Sequence, residues 1–247
     1  MRVLTRNFSA EKMDERSHKV LEAVIREYID TAEPVGSFHL REEYDFPFSS
    51  ATIRSVLSDL EGLGYIFQPH TSAGRVPTEK GYRFFVDLFG EGSFDSSAKR
   101  EELAFRKKML AMRSSFEKML DATARLLTET SSNAGIAGTN EYVFKYGISN
   151  LLREPEIKNE DYAVGVADIF DNINDVIREV PDNIEVDVYV GGENPIGKKA
   201  GCSLVISRFL TPYNTKGFLG ILGPTRMSYE RNLSLVNMAK DILEGEI

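Results

Sequence analysis

"SSATIRSVLSDLEGLGYIFQPHTSAGRVPTEKGYRFF" covers residues 49–85, and its two halves follow different patterns. In the first half, apolar residues recur at steps of three and four, which predicts an amphipathic helix. Ser49 and Ser50 can cap its first turn, and the helix should end near Gly62 or Gly64. The second half mixes Pro, Gly, His and Arg with a few aromatic residues, which predicts an irregular segment.

Two other helical patterns precede this stretch. Residues 14–31 carry an apolar stripe at helical spacing, and Pro34 stands where a second helix can begin. Three helices followed by the strand-like YIFQPH are typical of a winged helix-turn-helix, in which a hairpin wing follows the recognition helix. We therefore predict such a DNA-binding domain over residues 1–90, with the irregular segment as its wing.

The third helix has the residues of a DNA reader on its outward face. Winding it at about 100° per residue places small side chains and one arginine opposite its apolar side. Small side chains let the helix approach the floor of the major groove, where an arginine can donate two hydrogen bonds to guanine. The residues predicted to read bases are Ala51, Thr52, Arg54, Ser55 and Ser58. A solvated helix face is the alternative interpretation of this pattern.

The irregular segment is locally basic, because Glu79 is its only acid between Gln68 and Phe85. Hydroxyl, backbone amide and cationic groups there can hold phosphate oxygens without reading sequence. The residues predicted to contact phosphates are Ser49, Ser50, His70, Thr71, Ser72, Gly74, Arg75, Lys80 and Arg83. We expect Gly74 to adopt a positive φ at the wing tip and Arg75 to be the main anchor. Arg83 has a second interpretation, packing a helix capped by Thr78.

The charge balance argues against indiscriminate nucleic-acid or membrane binding. The chain of 247 residues carries a net charge of -8, and residues 1–90 alone have 11 Lys and Arg against 14 Asp and Glu. Specific contacts made by two copies would therefore have to supply the affinity. The single cysteine, and the lack of a signal-peptide pattern or a long apolar run, lead us to expect a cytoplasmic protein without a membrane partner.

The second half of the chain has a different sequence pattern. "FGEGSFDSS", residues 89–97, reads as a linker, and a heptad seam then predicts one long helix over residues 100–130. Because a single apolar stripe needs a partner, we expect this helix to form a homodimer. Its predicted dimer contacts are Phe105, Met109, Met112, Phe116, Met119 and Leu126.

Beyond the seam, the pattern predicts a helix over residues 160–180 and a strand with Ile184, Val186, Val188 and Val190 on one face. Two more strands, CSLVISRFL and GFLGILG, and a closing helix over residues 229–243 follow. Residues 91–247 should therefore form a second domain, and the fold class of the whole chain is α+β.

Enzyme motifs are absent from the sequence. The three histidines have no cysteine or paired carboxylate at metal-ligand spacing, and GCSLVIS is not a nucleophile elbow. Cys202 begins an apolar strand and is expected to be a buried, inert thiol. We predict neither catalytic residues nor a metal or cofactor.

Several longer stretches closely resemble the HrcA family of heat-inducible transcription repressors. They include YIDTAEPVGSFHL, the segment from SSATIRS to FFVD, NLLREPE, GGEN and GILGPTRMSYERNLSLVN. The resemblance implies a winged-helix domain and a GAF-like domain that carries a further inserted domain. It also implies a dimer that binds an inverted-repeat operator, CIRCE, ahead of chaperone genes, with activity modulated by the GroEL chaperonin.

One departure from the family pattern is the length of the chain. The segment LLTETSSNAGIAGTN is followed almost directly by EYVFKYGISNLLREPE. Most of the inserted domain is therefore missing from this chain, and the GAF-like domain is reduced. Two other functions stay open: a regulator that senses a small molecule through the GAF-like domain, and a module that binds only proteins. A reduced sheet should leave little room for a ligand pocket.

Overall fold

The computed structural model describes residues 13–89, 99–111, 115–181, 186–194, 201–211 and 214–245. The chain divides into two compact units, an N-terminal unit that ends at Leu88 and a C-terminal unit that begins at Phe89. Most of the predicted linker lies outside the described residues. Among the helices that are described, none has the length and apolar character needed to cross a membrane.

The N-terminal unit packs four helices with a small hairpin. Its elements are α1 (Glu15–Thr31), α2 (Ser37–Glu43), α3 (Ser50–Gly62), β1 (Ile66–Phe67), β2 (Val76–Pro77) and α4 (Glu79–Phe89). The apolar sides of α1 and α3 form much of its core, where Leu21, Ile25, Ile53 and Leu60 are fully buried. Burial of such side chains stabilises each of them by roughly 1.5–3 kcal/mol relative to exposure, so these helices depend on one another.

Side-chain caps set the starts of two of the predicted helices. The carboxylate of Asp14 accepts the Ser17 amide hydrogen at 2.7 Å, and the Ser49 hydroxyl accepts that of Thr52 at 3.2 Å. Helix α3 ends at Gly62, and Gly64 follows with φ 76°. The predicted start and end of the third helix are thus confirmed.

A two-stranded antiparallel hairpin follows α3. Ile66 pairs with Pro77 and Phe67 with Val76, and an isolated bridge joins Val35 to Arg75. The chain between α1 and α2 therefore lies along the returning strand of the hairpin.

The C-terminal unit is a five-stranded antiparallel sheet covered on both faces. Its helices are α5 (Lys99–Ala111), α6 (Phe116–Ser131), α7 (Ile148–Leu151), α8 (Glu160–Asp171), α9 (Ile173–Glu179) and α10 (Tyr229–Glu244). Its strands are β3 (Ala134–Gly138), β4 (Val143–Tyr146), β5 (Asp187–Tyr189), β6 (Cys202–Leu210) and β7 (Lys216–Pro224). The strand order is β4-β3-β7-β6-β5, and every described pairing is antiparallel.

Successive side chains of β6 point to opposite faces of the sheet, and their contacts show which helices cover each face. Cys202, Leu204 and Ile206 join a core with apolar residues of α8 and α9, whereas the hydroxyl of Ser203 points the other way and bonds that of Tyr229 in α10 at 2.7 Å. With both faces buried, β6 and β7 read as nearly continuous apolar runs. The α+β fold class predicted from the sequence is confirmed by this mixture of helices and antiparallel sheet.

The sequence pattern missed two strands and joined two helices. AGIAG (β3) lacks the β-branched and aromatic residues that usually mark a strand, yet it pairs with both β4 and β7. The helix predicted over residues 160–180 is two helices, α8 and α9, separated at Asn172. Ile184 of the predicted alternating strand lies outside the described residues.

The predicted heptad helix is wrong as a single element. Helix α5 ends at Ala111, and Ser115 is extended and caps α6 through its hydroxyl. Phe105, Met109 and Leu126 are buried within the chain, at 2%, 1% and 3% exposure, because α5 packs on α10 and α6 while α6 packs on the sheet. These three side chains therefore do not form a dimer surface. Met112 lies outside the described residues.

Candidate nucleic-acid interface

The outward face of α3 is the surface on which the base-reading prediction depends. Its buried side consists of Ile53, Val56, Leu57 and Leu60, all under 9% exposed. Opposite them, Ala51, Arg54, Ser55 and Ser58 are exposed and Thr52 is partly exposed. Thr52 also donates its amide to Ser49, so the first turn is held by the cap. The exposed face carries one cation among small side chains, with the exposed carboxylate of Asp59 at its edge, and small side chains favour close approach to a groove.

The loop between β1 and β2 is organised by one amide side chain. The Gln68 side-chain nitrogen donates to the carbonyl oxygens of Thr71 and Ala73 at 3.0 and 2.8 Å. The Ala73 amide donates to the His70 carbonyl at 2.8 Å, which closes a turn. His70, Thr71 and Ser72 are exposed at this turn, so three of the predicted phosphate contacts share one exposed tip.

Arg75 does not stand at that tip, and its contacts do not favour the predicted role as the main phosphate anchor. Its guanidinium pairs with the carboxylate of Glu61 at 2.9 Å, and its side chain is only 18% exposed. Its backbone amide and carbonyl both bond Val35, at 2.8 and 2.9 Å. The sequence pattern could not show this, because the partners come from the end of α3 and from the chain before α2. Arg75 joins the hairpin to the helices.

Gly74 also has a different role from the predicted one. It does not adopt a positive φ, since the positive-φ glycines of the described residues lie elsewhere. A Cβ atom at Gly74 would stand 2.5 Å from the carbonyl carbon of Val35 and 2.6 Å from Pro34. The position requires glycine because two backbone segments approach closely, and this approach allows the Val35 to Arg75 bridge.

The side chains of Lys80 and Arg83 both make contacts within the N-terminal unit. The Lys80 ammonium donates to the Leu63 carbonyl at 2.8 Å and lies 4.3 Å from the centre of the Tyr65 ring. Arg83 is 3% exposed and pairs with Asp87, so it packs α4 and is wrong as a phosphate contact. Its second interpretation, a structural role, is confirmed. The cap predicted for α4 is confirmed too, because the Thr78 hydroxyl accepts the Gly81 amide hydrogen at 3.2 Å.

Glu61 is a residue that the sequence analysis missed. Its carboxylate accepts both the Arg75 guanidinium, at 2.9 Å, and the backbone amide of Gln68, at 3.0 Å. One side chain at the end of α3 therefore holds both ends of the loop that joins β1 to β2. An acid at the border of a basic segment could have indicated this contact, but many acids on helix ends make no such contact.

Cys202 behaves as the sequence predicted. Its side chain is fully buried, and burial raises the pKa of the thiol to about 12. A thiol that stays protonated is a weak nucleophile, so this cysteine is a packing residue of β6.

The two units together define an α+β protein with an exposed helix face, a hairpin beside it and a separate antiparallel sheet domain. The comparison with protein families then identifies the family. The family described as "HrcA protein C terminal domain" matches residues 95–233, more than half of the chain. The chain belongs to the HrcA family.

Named relatives agree with this assignment over most of the chain. The heat-inducible transcription repressor HrcA of Carboxydothermus hydrogenoformans is 27% identical, with 94% of this chain and 97% of the relative aligned. That alignment has 335 positions and the chain 247 residues, so at least 88 positions of the alignment have no residue of this chain. The HrcA repressor of Thermodesulfovibrio yellowstonii is 44% identical over 128 residues, which are 51% of this chain and 37% of the relative.

A crystal structure of a hypothetical protein has the same fold. It superposes with a TM-score of 0.79 at 20% identity, and the match covers 95% of this chain and 98% of that one. At this level of identity the likeness concerns the fold alone.

Proposed function

We propose that the protein is a sequence-specific transcriptional repressor of heat-shock genes. In this proposal residues 13–89 form a winged helix-turn-helix with α3 as its recognition helix and the β1–β2 hairpin as its wing. The observation that carries the proposal is the exposed face of α3, with Arg54 among small residues beside an exposed turn of polar side chains. Membership of a family whose named relatives are heat-inducible repressors supports it.

The operator in this proposal is an inverted repeat of the CIRCE type ahead of chaperone genes, in the cytoplasm. An inverted repeat is the DNA counterpart of a two-fold protein dimer, each copy reading one half. A dimer also fits the acidity of residues 1–90, since a single copy would gain little affinity from phosphate charge. The five-stranded unit would be a reduced GAF-like domain, and the GroEL chaperonin would modulate the repressor.

The dimer surface in this proposal is smaller than the one that the heptad seam predicted, because three of its side chains are buried within the chain. Of that seam, Phe116 and Met119 are the described residues that stay partly exposed. We propose these two as dimer contacts. Light scattering of a Met119→Glu variant should then give the mass of one chain, because a carboxylate in an apolar contact is costly to bury. An unchanged dimer mass would contradict this surface.

Fluorescence anisotropy tests the repressor function directly. The protein would be titrated into a labelled inverted-repeat duplex and into a scrambled duplex of equal length and composition, at several salt concentrations. We expect clear preference for the inverted repeat and a shallow dependence of log affinity on log salt, since few phosphates are contacted. Equal affinity for both duplexes would reject sequence-specific repression.

A further inference from the structure

The two edges of the five-stranded sheet differ in their accessibility. The sheet ends on β5 at one side, where Asp187, Val188 and Tyr189 are at most 5% exposed. It ends on β4 at the other side, where all four residues are partly exposed. The edge at β5 is therefore covered, whereas the edge at β4 is accessible.

The hydrogen bonds between β3 and β4 show which backbone groups of β4 point outward. The Thr139 amide donates to the Tyr142 carbonyl at 2.7 Å, at the turn between the two strands. Because bonded and non-bonded pairs alternate along an antiparallel ladder, Phe144 bonds β3 while Val143 and Lys145 do not. The amide and carbonyl groups of Val143 and Lys145 therefore point away from the sheet, and none of the described residues bonds them.

Strand β4 lacks the features that usually keep an edge strand from pairing. Its sequence VFKY contains no proline, its register with β3 is continuous without a bulge, and it carries one charge. That charge is the Lys145 ammonium, which donates to the Phe170 carbonyl and lies 5.1 Å from the centre of the Phe170 ring. The cation is thus held against α8, and it does not block the edge.

A second copy of β4 fits this edge in one register. Both outward-facing residues of each strand form hydrogen bonds only if Val143 pairs with Lys145 of the second copy, and the reverse. This register gives about four hydrogen bonds and places Phe144 opposite Phe144 of the second copy, on a two-fold axis. It also keeps the two lysines from facing each other, which would be destabilising. A shift by two residues would place part of each strand opposite a turn.

The same register also matches the exposed side chains. Tyr142, Phe144 and Tyr146 share one face of the sheet, since side chains alternate along a strand. Helix α6 covers this face, because the Tyr146 hydroxyl donates to Asp121. Tyr142 is 45% exposed, and in this register it stands opposite Tyr146 of the second copy. Aromatic cross-strand pairs contribute roughly 0.2–1 kcal/mol each relative to alanine, so pairing stabilises by covering a ring that a single chain leaves in water.

We propose that the β4 edge is a self-association surface, on which a second copy of this chain pairs its own β4 in antiparallel orientation. The two sheets would form one continuous sheet across a two-fold axis at Phe144. Because strands of four residues bury little area, this contact is weaker than the dimer of the proposed function and joins such dimers at high protein concentration. It uses neither Phe116 nor Met119 and no residue of α3, so it does not depend on DNA binding.

Disulfide trapping of the full chain tests the register. In Phe144→Cys, the two thiols would lie in a non-hydrogen-bonded pair with Cα atoms about 4.5 Å apart, a separation that a disulfide spans. Tyr142→Cys is the matched control, because its two copies would be about 13 Å apart along the strands although Tyr142 is the more exposed residue. The native Cys202 is fully buried and does not compete.

Under mild oxidation we expect Phe144→Cys to form a covalent dimer at least about tenfold faster than Tyr142→Cys, because the larger separation exceeds the reach of a disulfide. Equal rates for the two variants would overturn the proposal, and so would the absence of a covalent dimer from Phe144→Cys.

A proline variant then tests the backbone pairing. In the Phe144→Cys background, Val143→Pro removes an outward amide and leaves the ladder between β3 and β4 intact, and proline is tolerated at the first residue of a strand. Each pair of chains loses two donors, so we expect cross-linking to fall about tenfold. Val143→Ala is the control, because it shortens the same side chain but keeps the amide. With matching melting curves for both variants, equal cross-linking rates would overturn the proposal.

Discussion

Arg54 is the exposed cation of α3 to which the proposed function assigns the reading of a base pair. Replacing it with alanine should cost about 1–3 kcal/mol of operator binding and relax the base preference at one position in each half-site, because two hydrogen bonds to a guanine are lost. Competition titrations with operators changed at single positions would measure this. Arg153→Ala, an exposed arginine of the C-terminal unit, is the matched control.

Two outcomes would contradict this assignment. If Arg54→Ala kept full discrimination between operators, another face of the unit would have to read the bases. If it weakened all duplexes alike, Arg54 would contact a phosphate instead.

Gly74 matters because of what lies next to it. A methyl group there would stand 2.5 Å from backbone atoms of Val35, so Gly74→Ala should destabilise the N-terminal unit by about 1–3 kcal/mol. Gly62→Ala is a matched change in the same unit, since nothing lies within 4 Å of its Cβ position, and it should be neutral or slightly stabilising. Urea unfolding of the two variants measures the difference, and equal midpoints would contradict the close approach.

At the scale of elements, the hairpin is positioned on α3 by Glu61. Glu61→Ala removes the acceptor of both Arg75 and the Gln68 amide, leaving a mostly buried guanidinium without its carboxylate. We expect weaker operator binding with nearly unchanged helix content in circular dichroism. Asp59→Ala, an exposed acid on the same helix, is the control and should bind as wild type or better.

The salt dependence separates this role from a direct phosphate contact. Loss of a positioning residue should lower affinity without changing the slope of log affinity against log salt, whereas loss of a phosphate contact reduces that slope by about one unit. Arg75→Ala should therefore behave like Glu61→Ala. A reduced slope for Arg75→Ala would restore it as an anchor.

At the scale of the whole molecule, affinity should come from two copies acting together. An operator reduced to one half-site should bind more than about 100-fold less tightly than the full inverted repeat, because the second copy no longer binds at high effective concentration. Anisotropy titrations at fixed salt would measure both duplexes. Equal affinities would show that a single copy is sufficient, against the dimeric repressor.

Some features of the molecule followed from local sequence alone. The periodicity of apolar residues, with Ser49 as cap and glycines at the end, determined the bounds and the exposed face of α3. Such patterns predict a helix and its exposed face correctly because a helix turns by a fixed angle per residue. They also predict its start, because its first amides need nearby acceptors. Strand β3 could not be predicted in this way, because AGIAG is a strand through its pairing with β4 and β7.

The sequence by itself determined the family, the α+β class and which side of each amphipathic helix is apolar. Tertiary structure decided which charges remain exposed and what the apolar sides pack against. Arg54 and Arg75 are the same residue type, so the sequence alone does not distinguish their roles. In the folded chain Arg75 pairs with Glu61, whereas Arg54 stays exposed. The heptad stripe likewise finds its partner in α10, more than a hundred residues later in the chain. A periodic pattern specifies a face, whereas its partner depends on contacts between distant segments.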